Sequence, residues 1–141
     1  MTRVDFYILP DADEDRRQTY LCRLAEKAYR LGHRVWIHVP ADDRAGALDD
    51  RLWTFSQGSF VPHERASDAD PDCPVVLAEG LEPGSDCELL INEDAEVPSF
   101  FSRFPRVAEV VNQNGEIRRR GRERYTFYRD RGYELHHHEV S

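Results

Sequence analysis

The sequence lacks the loops that cradle phosphates. No G-x-G-x-x-G follows its first apolar run, where LPDADED stands instead, and no G-x-x-x-x-G-K-[ST] occurs anywhere, so a dinucleotide or a nucleoside triphosphate has no backbone nest to occupy. Ser56 and Ser59 flank Gly58 without forming a G-x-S-x-G elbow, and no cysteine lies in a nucleophile setting, which leaves hydrolase chemistry without a triad. Cysteine is scarce: Cys22, Cys73 and Cys87 show no metal-binding spacing, and three thiols cannot all pair within one chain, so they read as reduced and structural. Long hydrophobic runs are missing too. None approaches the roughly 18 residues of a membrane span, and the opening MTRVDFYILP has no basic-then-apolar signal with a cleavage site, so a cytoplasmic protein without membrane attachment is expected. Positive charge is in short supply, with 19 basic against 27 acidic residues and a net charge of −8. Extended neutralisation of nucleic-acid phosphates is therefore disfavoured.

What remains is the composition of a globular domain. The 141 residues are 40% apolar and 11% aromatic, with 33% charged, enough to bury a core without disulfides or metal. Val4 to Leu9 (VDFYIL) reads as a buried strand stopped by Pro10, Asp13 to Leu31 as a helix ending before Gly32, and Arg34 to Val39 as a second strand. Asp42 to Phe55 reads as a second helix, with Ala41, Ala45, Leu48, Leu52 and Phe55 on its packed face. Val75 to Ala78, Glu88 to Asn92 and Arg106 to Val111 are short strand candidates. Pro98 to Phe104 suits a helical turn that buries Phe100, Phe101 and Phe104, and Tyr133 to His137 a final strand. Glu64 to Pro74, acidic and rich in small residues, reads as a mobile loop. Strands alternating with helices over residues 1–141 predict a single α/β domain, a mostly parallel sheet flanked by helices, Rossmann-like without a nucleotide-binding loop.

One segment departs from the acidic average. Glu116 to Arg131 (EIRRRGRERYTFYRDR) holds seven arginines and three acids, a local +4, so the other 125 residues carry −12. Asn114 as N-cap and Gly132 at C′ frame it as a helix of about four turns. At roughly 100° per residue, Ile117, Gly121 and Tyr128 share the buried edge, and Arg118, Arg122 and Arg129 form an adjacent stripe with Tyr125 at its boundary. A charge run is often only a solvated face. Three guanidiniums beside a phenol, however, can hold an anionic group next to an apolar one.

Two other features carry chemistry. Trp53 points away from the packed face of its helix, and Phe60 and Val61 follow in the loop GSFVPH. Burial under the domain's own loops is one reading, and an apolar docking patch the other. His136 and His138, alternate residues of the last strand, could bind zinc with Glu139, but adjacent histidines near a chain end are more often solvent-exposed and unordered. Asp42, Asp43, Asp49 and Asp50 read as a solvated helix surface.

Three strings taken together carry a resemblance. VDFYIL, LDDRLWTFSQGSFVPH (Leu48 to His63) and RERYTFYRDRGYEL (Arg122 to Leu135) resemble the chi subunit family of bacterial DNA polymerase III in order and nearly end to end, except between Glu64 and Asp86. The resemblance implies a non-catalytic accessory subunit with no cofactor, paired with the psi subunit of the clamp loader. It also implies binding of the acidic, phenylalanine-terminated C-terminal tail of single-stranded DNA-binding protein, so that DNA is met only indirectly. It assigns Trp53 and Phe60, with the neighbouring Val61, to psi. Arg122 and Tyr125 are assigned to the tail, and Arg118 and Arg129 extend that stripe. Thr126 stands where some members carry lysine, which implies a differently built basic pocket. Two other classes remain open on the residues alone. One is direct binding of single-stranded nucleic acid, with Tyr125, Phe127 and Tyr128 as stacking residues. The other is a small α/β enzyme with a polar, partly buried cluster near Pro10 and Pro40.

Overall fold

In a computed structural model, residues 2–40, 44–56, 58, 61–66, 73–83 and 87–141 are described. The chain runs β1 (Arg3–Ile8), α1 (Glu14–Arg30), β2 (Val35–Val39), α2 (Arg44–Thr54), β3 (His63–Arg65), β4 (Val75–Glu79), β5 (Leu89–Asn92), a 3-10 turn (Phe101–Arg103), β6 (Arg106–Val111), α3 (Gly115–Asp130) and β7 (Glu134–Glu139). All seven strands form one sheet in the order β3-β4-β2-β5-β6-β1-β7, and every pairing is parallel. The expected α/β architecture is thus present, and the sheet is wholly parallel. No described helix is long and apolar enough to cross a membrane.

Sequence dictates the elements locally. Asp13 caps α1 by accepting from the Asp15 and Arg16 amides, and Asn114 caps α3 by accepting from Glu116 and Ile117, each satisfying donors that a helix start leaves orphaned. Gly32 and Gly132 adopt φ of 83° and 77° just past α1 and α3, a conformation that a Cβ would strain. The central strands β2, β4 and β5 are nearly all buried, as continuous apolar runs in a doubly covered parallel sheet should be.

Alternate residues face opposite layers. On one face Val35, Ile37, Val39, Leu77 and Ile91 pack with Leu21, Ala25, Leu48 and Leu52 of α1 and α2. On the other, Val4, Phe6, Trp36, Leu90 and Val107 pack with Phe100, Phe101, Phe104 and Tyr128. The phenylalanine-rich turn thus buries inward as expected. Cys22, Cys73 and Cys87 are all buried, and burial pushes the Cys22 thiol up to about 12, which makes it a poor nucleophile.

Two expectations are corrected. Glu64 and Arg65 are not loop but belong to β3, which pairs with β4 through His63↔Val75 and Arg65↔Leu77. A three-residue edge strand is too short to leave a periodic signal. The histidine tail is ordered: β7 reaches Glu139 and pairs with β1 in the register Asp5↔His136 to Ile8↔Glu139. His138 stacks on Tyr7 at 4.8 Å and bonds the buried Asp5 at 2.9 Å, while His136 meets Glu134 at 2.6 Å. Asp42, Asp43 and Ala41, at the expected start of α2, lie outside the described residues.

Candidate peptide-binding groove

α3 lies over β1 and β6, and its packing edge decides where its arginines go. Gly121 lets the helix sit close: a Cβ there would lie 2.9 Å from Val111 Cγ1. Tyr128 is fully buried and donates to Glu109 Oε2 at 2.8 Å. Arg124 shares this edge, and its Nε donates to Glu109 Oε1 at 2.9 Å while Nη1 reaches the Ala95 carbonyl at 3.0 Å. Asn92 completes the cluster with a donor 3.0 Å from Glu109. Burial pushes the Glu109 carboxyl above the usual range, and the Arg124 guanidinium is the foremost influence opposing that rise. Sequence reasoning did not place Arg124. The signal was available, because positions 117, 121, 124 and 128 follow the 4-3-4 spacing of a helix seam.

The remaining arginines of α3 divide by partner. Arg119 and Arg120 pair with Glu116 and Glu123, and Arg129 pairs with its neighbour Asp130. Beyond the last turn, Arg131 covers the Phe127 ring, its guanidinium carbon 3.6 Å from the centroid. Only Arg118 and Arg122 have no side-chain ion pair or hydrogen bond among the described residues. These two, one turn apart, border a groove of about 520 Å³ together with Tyr125. Its floor is apolar, made by Phe6, Ile8 and Val111, and β7 supplies the opposite wall through His137 and Glu139. Tyr125 is held edge-on against Phe6, with ring centroids 5.3 Å apart.

The structure therefore brings Arg118, Arg122 and Tyr125 together and leaves Arg129 outside the groove, at the end of α3. It also removes two of the three aromatics expected of a nucleic-acid stacking platform. Tyr128 is fully buried, and Phe127 packs against Phe101 at 5.7 Å with Arg131 above it. Their sequence positions put them beside arginines, but the helix turns them inward. Beyond the α3 residues singled out from sequence, the groove takes in His137 and Glu139, which no arginine-based reading could have found because they arrive from β7.

At the far end of the sheet, Trp53 is 51% exposed, and its ring lies 4.5 Å from that of His63. Val61 is buried in the core beneath α2, and Phe60 lies outside the described residues. A polar cluster does stand at the carboxyl ends of β5 and β6, but its charges face one another: Arg17 bonds Glu93, Glu14 and the Val110 carbonyl.

Comparison with known proteins decides the family. The model of the family described as "DNA polymerase III chi subunit, HolC" matches residues 1–136. The chain belongs to the chi subunit family. A chi subunit of Pseudomonas aeruginosa is 44% identical over 140 residues, covering 99% of this chain and 98% of the relative. That of Escherichia coli is 31% identical over 117 residues, 82% of this chain and 80% of the relative. The fold recurs in T4 UvsW, with a TM-score of 0.71 at 10% identity over 99% of this chain and 41% of that one. At that identity the likeness is one of fold alone. The chi relatives are named as a polymerase subunit, and the seam of Gly121, Arg124 and Tyr128 is how this chi-family chain turns Arg118 and Arg122 outward.

Proposed function

We propose that this chi-family protein is a non-catalytic adaptor of the DNA polymerase III holoenzyme in DNA replication, joining the psi subunit of the clamp loader to the C-terminal tail of single-stranded DNA-binding protein. The observation that carries the tail assignment is the pair of guanidiniums, Arg118 and Arg122, that have no side-chain partner among the described residues and stand at the rim of an apolar groove walled by Tyr125. A peptide ending in acids, a phenylalanine and a free carboxylate needs that combination: cations for the acidic groups and a hydrophobic floor for the ring. Arg129 contributes at most to the field around the groove. The protein works in the cytoplasm, meets DNA through its partner and needs no cofactor.

Arg122→Ala is expected to weaken binding of a synthetic tail peptide by about 1 to 3 kcal/mol, the range for losing a charge-assisted contact. Calorimetric titration gives the number, and unchanged affinity removes Arg122 from the site. The same peptide without its final phenylalanine should bind far more weakly, because the apolar floor then stays wet.

For psi, the supporting observation is the exposed indole of Trp53, a side chain typical of interface hot spots. Trp53→Ala should cost psi binding about 2 kcal/mol or more while leaving tail binding intact, since α2 and α3 lie on opposite faces of the sheet. Co-purification of psi with the variant at wild-type affinity rules out this contact. Phe60 belongs to the same proposed surface, whereas Val61, buried in the core, does not reach it.

A further inference from the structure

Among the described residues, the arginine and lysine side chains that the fold leaves without a hydrogen bond or ion pair come in two pairs. Arg118 and Arg122 are one. Arg23 and Lys27 of α1 are the other: both are exposed, and neither has a side-chain hydrogen bond or ion pair among the described residues. The two pairs share a spacing of four residues, which sets side chains above one another on a helix. Each also borders a groove with a tyrosine in its wall. At Arg23 and Lys27 the cavity holds about 420 Å³ and lies between α1 and the sheet face opposite α3, with Tyr7 and Tyr20 in its lining. Its apolar lining includes Leu24, Ala28, Leu89 and Ala108, and Leu31 at its lip is 64% exposed.

The size and chemistry select the occupant. A cavity of this volume is within the range of ligand pockets and takes one or two bulky side chains. The rim is cationic: among the described lining residues Glu88 is the one acid, and it accepts the Arg34 amide at 2.7 Å, while Arg106 is itself paired with Asp5 at 3.0 Å, so the positive charge offered to a ligand is that of Arg23 and Lys27. In a chain of net charge −8, unpaired cations around an apolar slot are complementary to an acidic segment carrying a large apolar residue.

We infer that the groove beneath Arg23 and Lys27 is a second peptide-docking site, which takes an internal acidic segment of a partner protein by burying one aromatic or large aliphatic side chain beside Leu24, Ala28 and Leu31. The site needs no free carboxyl terminus. It stands on its own residues, independent of the α3 groove.

A random peptide library displayed through its C-terminal end, which withholds the free carboxylate, tests this directly. Selection is run against the Arg118→Ala/Arg122→Ala protein, so that the α3 groove does not recruit binders, and in parallel against the same protein also carrying Arg23→Glu and Lys27→Glu. The expected result is enrichment of sequences with a phenylalanine, tryptophan or leucine flanked by aspartate or glutamate, binding at least tenfold more weakly to the charge-reversed protein. Amide shifts on adding such a peptide should centre on Leu24, Ala28 and Leu31, and Leu31→Asp, a change at an exposed position, should reduce binding similarly. No sequence preferring the first protein, or binders that ignore Arg23 and Lys27, overturns the inference. Tail-peptide binding by the unmodified protein is unaffected by either outcome, so failure here is separable from failure of the α3 groove.

Discussion

Glu109→Ala is expected to remove about 3 to 5 kcal/mol of folding stability, the cost of stranding one member of a buried ion pair. Glu109 is fully buried on β6 and takes hydrogen bonds from Arg124, Asn92 and Tyr128. Alanine leaves the Arg124 guanidinium, 7% exposed, with only the Ala95 carbonyl, takes the acceptor from the Tyr128 hydroxyl, and leaves the Asn92 amide with the Glu96 carbonyl alone. The loss is large because one carboxylate serves three donors. Urea denaturation measures it as a fall in midpoint. A paired apolar replacement, Glu109→Leu with Arg124→Leu, should recover much of the loss, because it removes both charges together. A drop below about 1 kcal/mol for Glu109→Ala, the ordinary size of a surface substitution, shows that the cluster does not anchor α3.

That cluster also shows where sequence reasoning reached and where it stopped. The start of α1 at Asp13, the cap at Asn114, the inward phenylalanines of the turn and the strands flanking α1 were legible because each follows from local chemistry: an orphaned amide, an apolar spacing, a glycine at positive φ. The seven arginines of the α3 segment were legible as a block but not as individuals. Arg124 and Arg122 are two residues apart in the same composition. One is buried on Glu109 and the other has no side-chain partner among the described residues, and only the 4-3-4 seam through Gly121 and Tyr128 separates them. Arg129 seemed equivalent to Arg118 by angle alone, yet it stands almost two turns beyond Arg122, where Asp130 engages it. Non-local contacts were not legible at all. His137 and Glu139 enter the α3 groove because β7 pairs with β1, a register that no local pattern specifies, and β3 is three residues long. The cationic pair at Arg23 and Lys27 carries no motif of its own in the sequence, and only the lack of side-chain partners among the described residues and the cavity beneath them set it apart.

The reversal Arg118→Glu/Arg122→Glu should then abolish tail-peptide binding, with a loss of at least about 3 kcal/mol, more than a hundredfold. Two charge-assisted contacts at roughly 1.5 kcal/mol or more each set the lower limit. Repulsion between the new carboxylates, Glu139 across the groove and the acidic peptide adds to it. Stability should change little, since neither arginine has a side-chain partner to lose among the described residues. This separates the double variant from Glu109→Ala, which lowers stability first. Salt gives an independent reading: wild-type affinity should fall as ionic strength rises, because the contacts lie at an exposed rim, and the residual binding of the reversed protein should lose that slope or change its sign. Retention of affinity within tenfold, with the salt slope intact, would place the acidic contacts elsewhere. The groove floor of Phe6, Ile8 and Val111 would then be an apolar recess without a role in anion recognition, and the two unpartnered guanidiniums above it would serve only solubility.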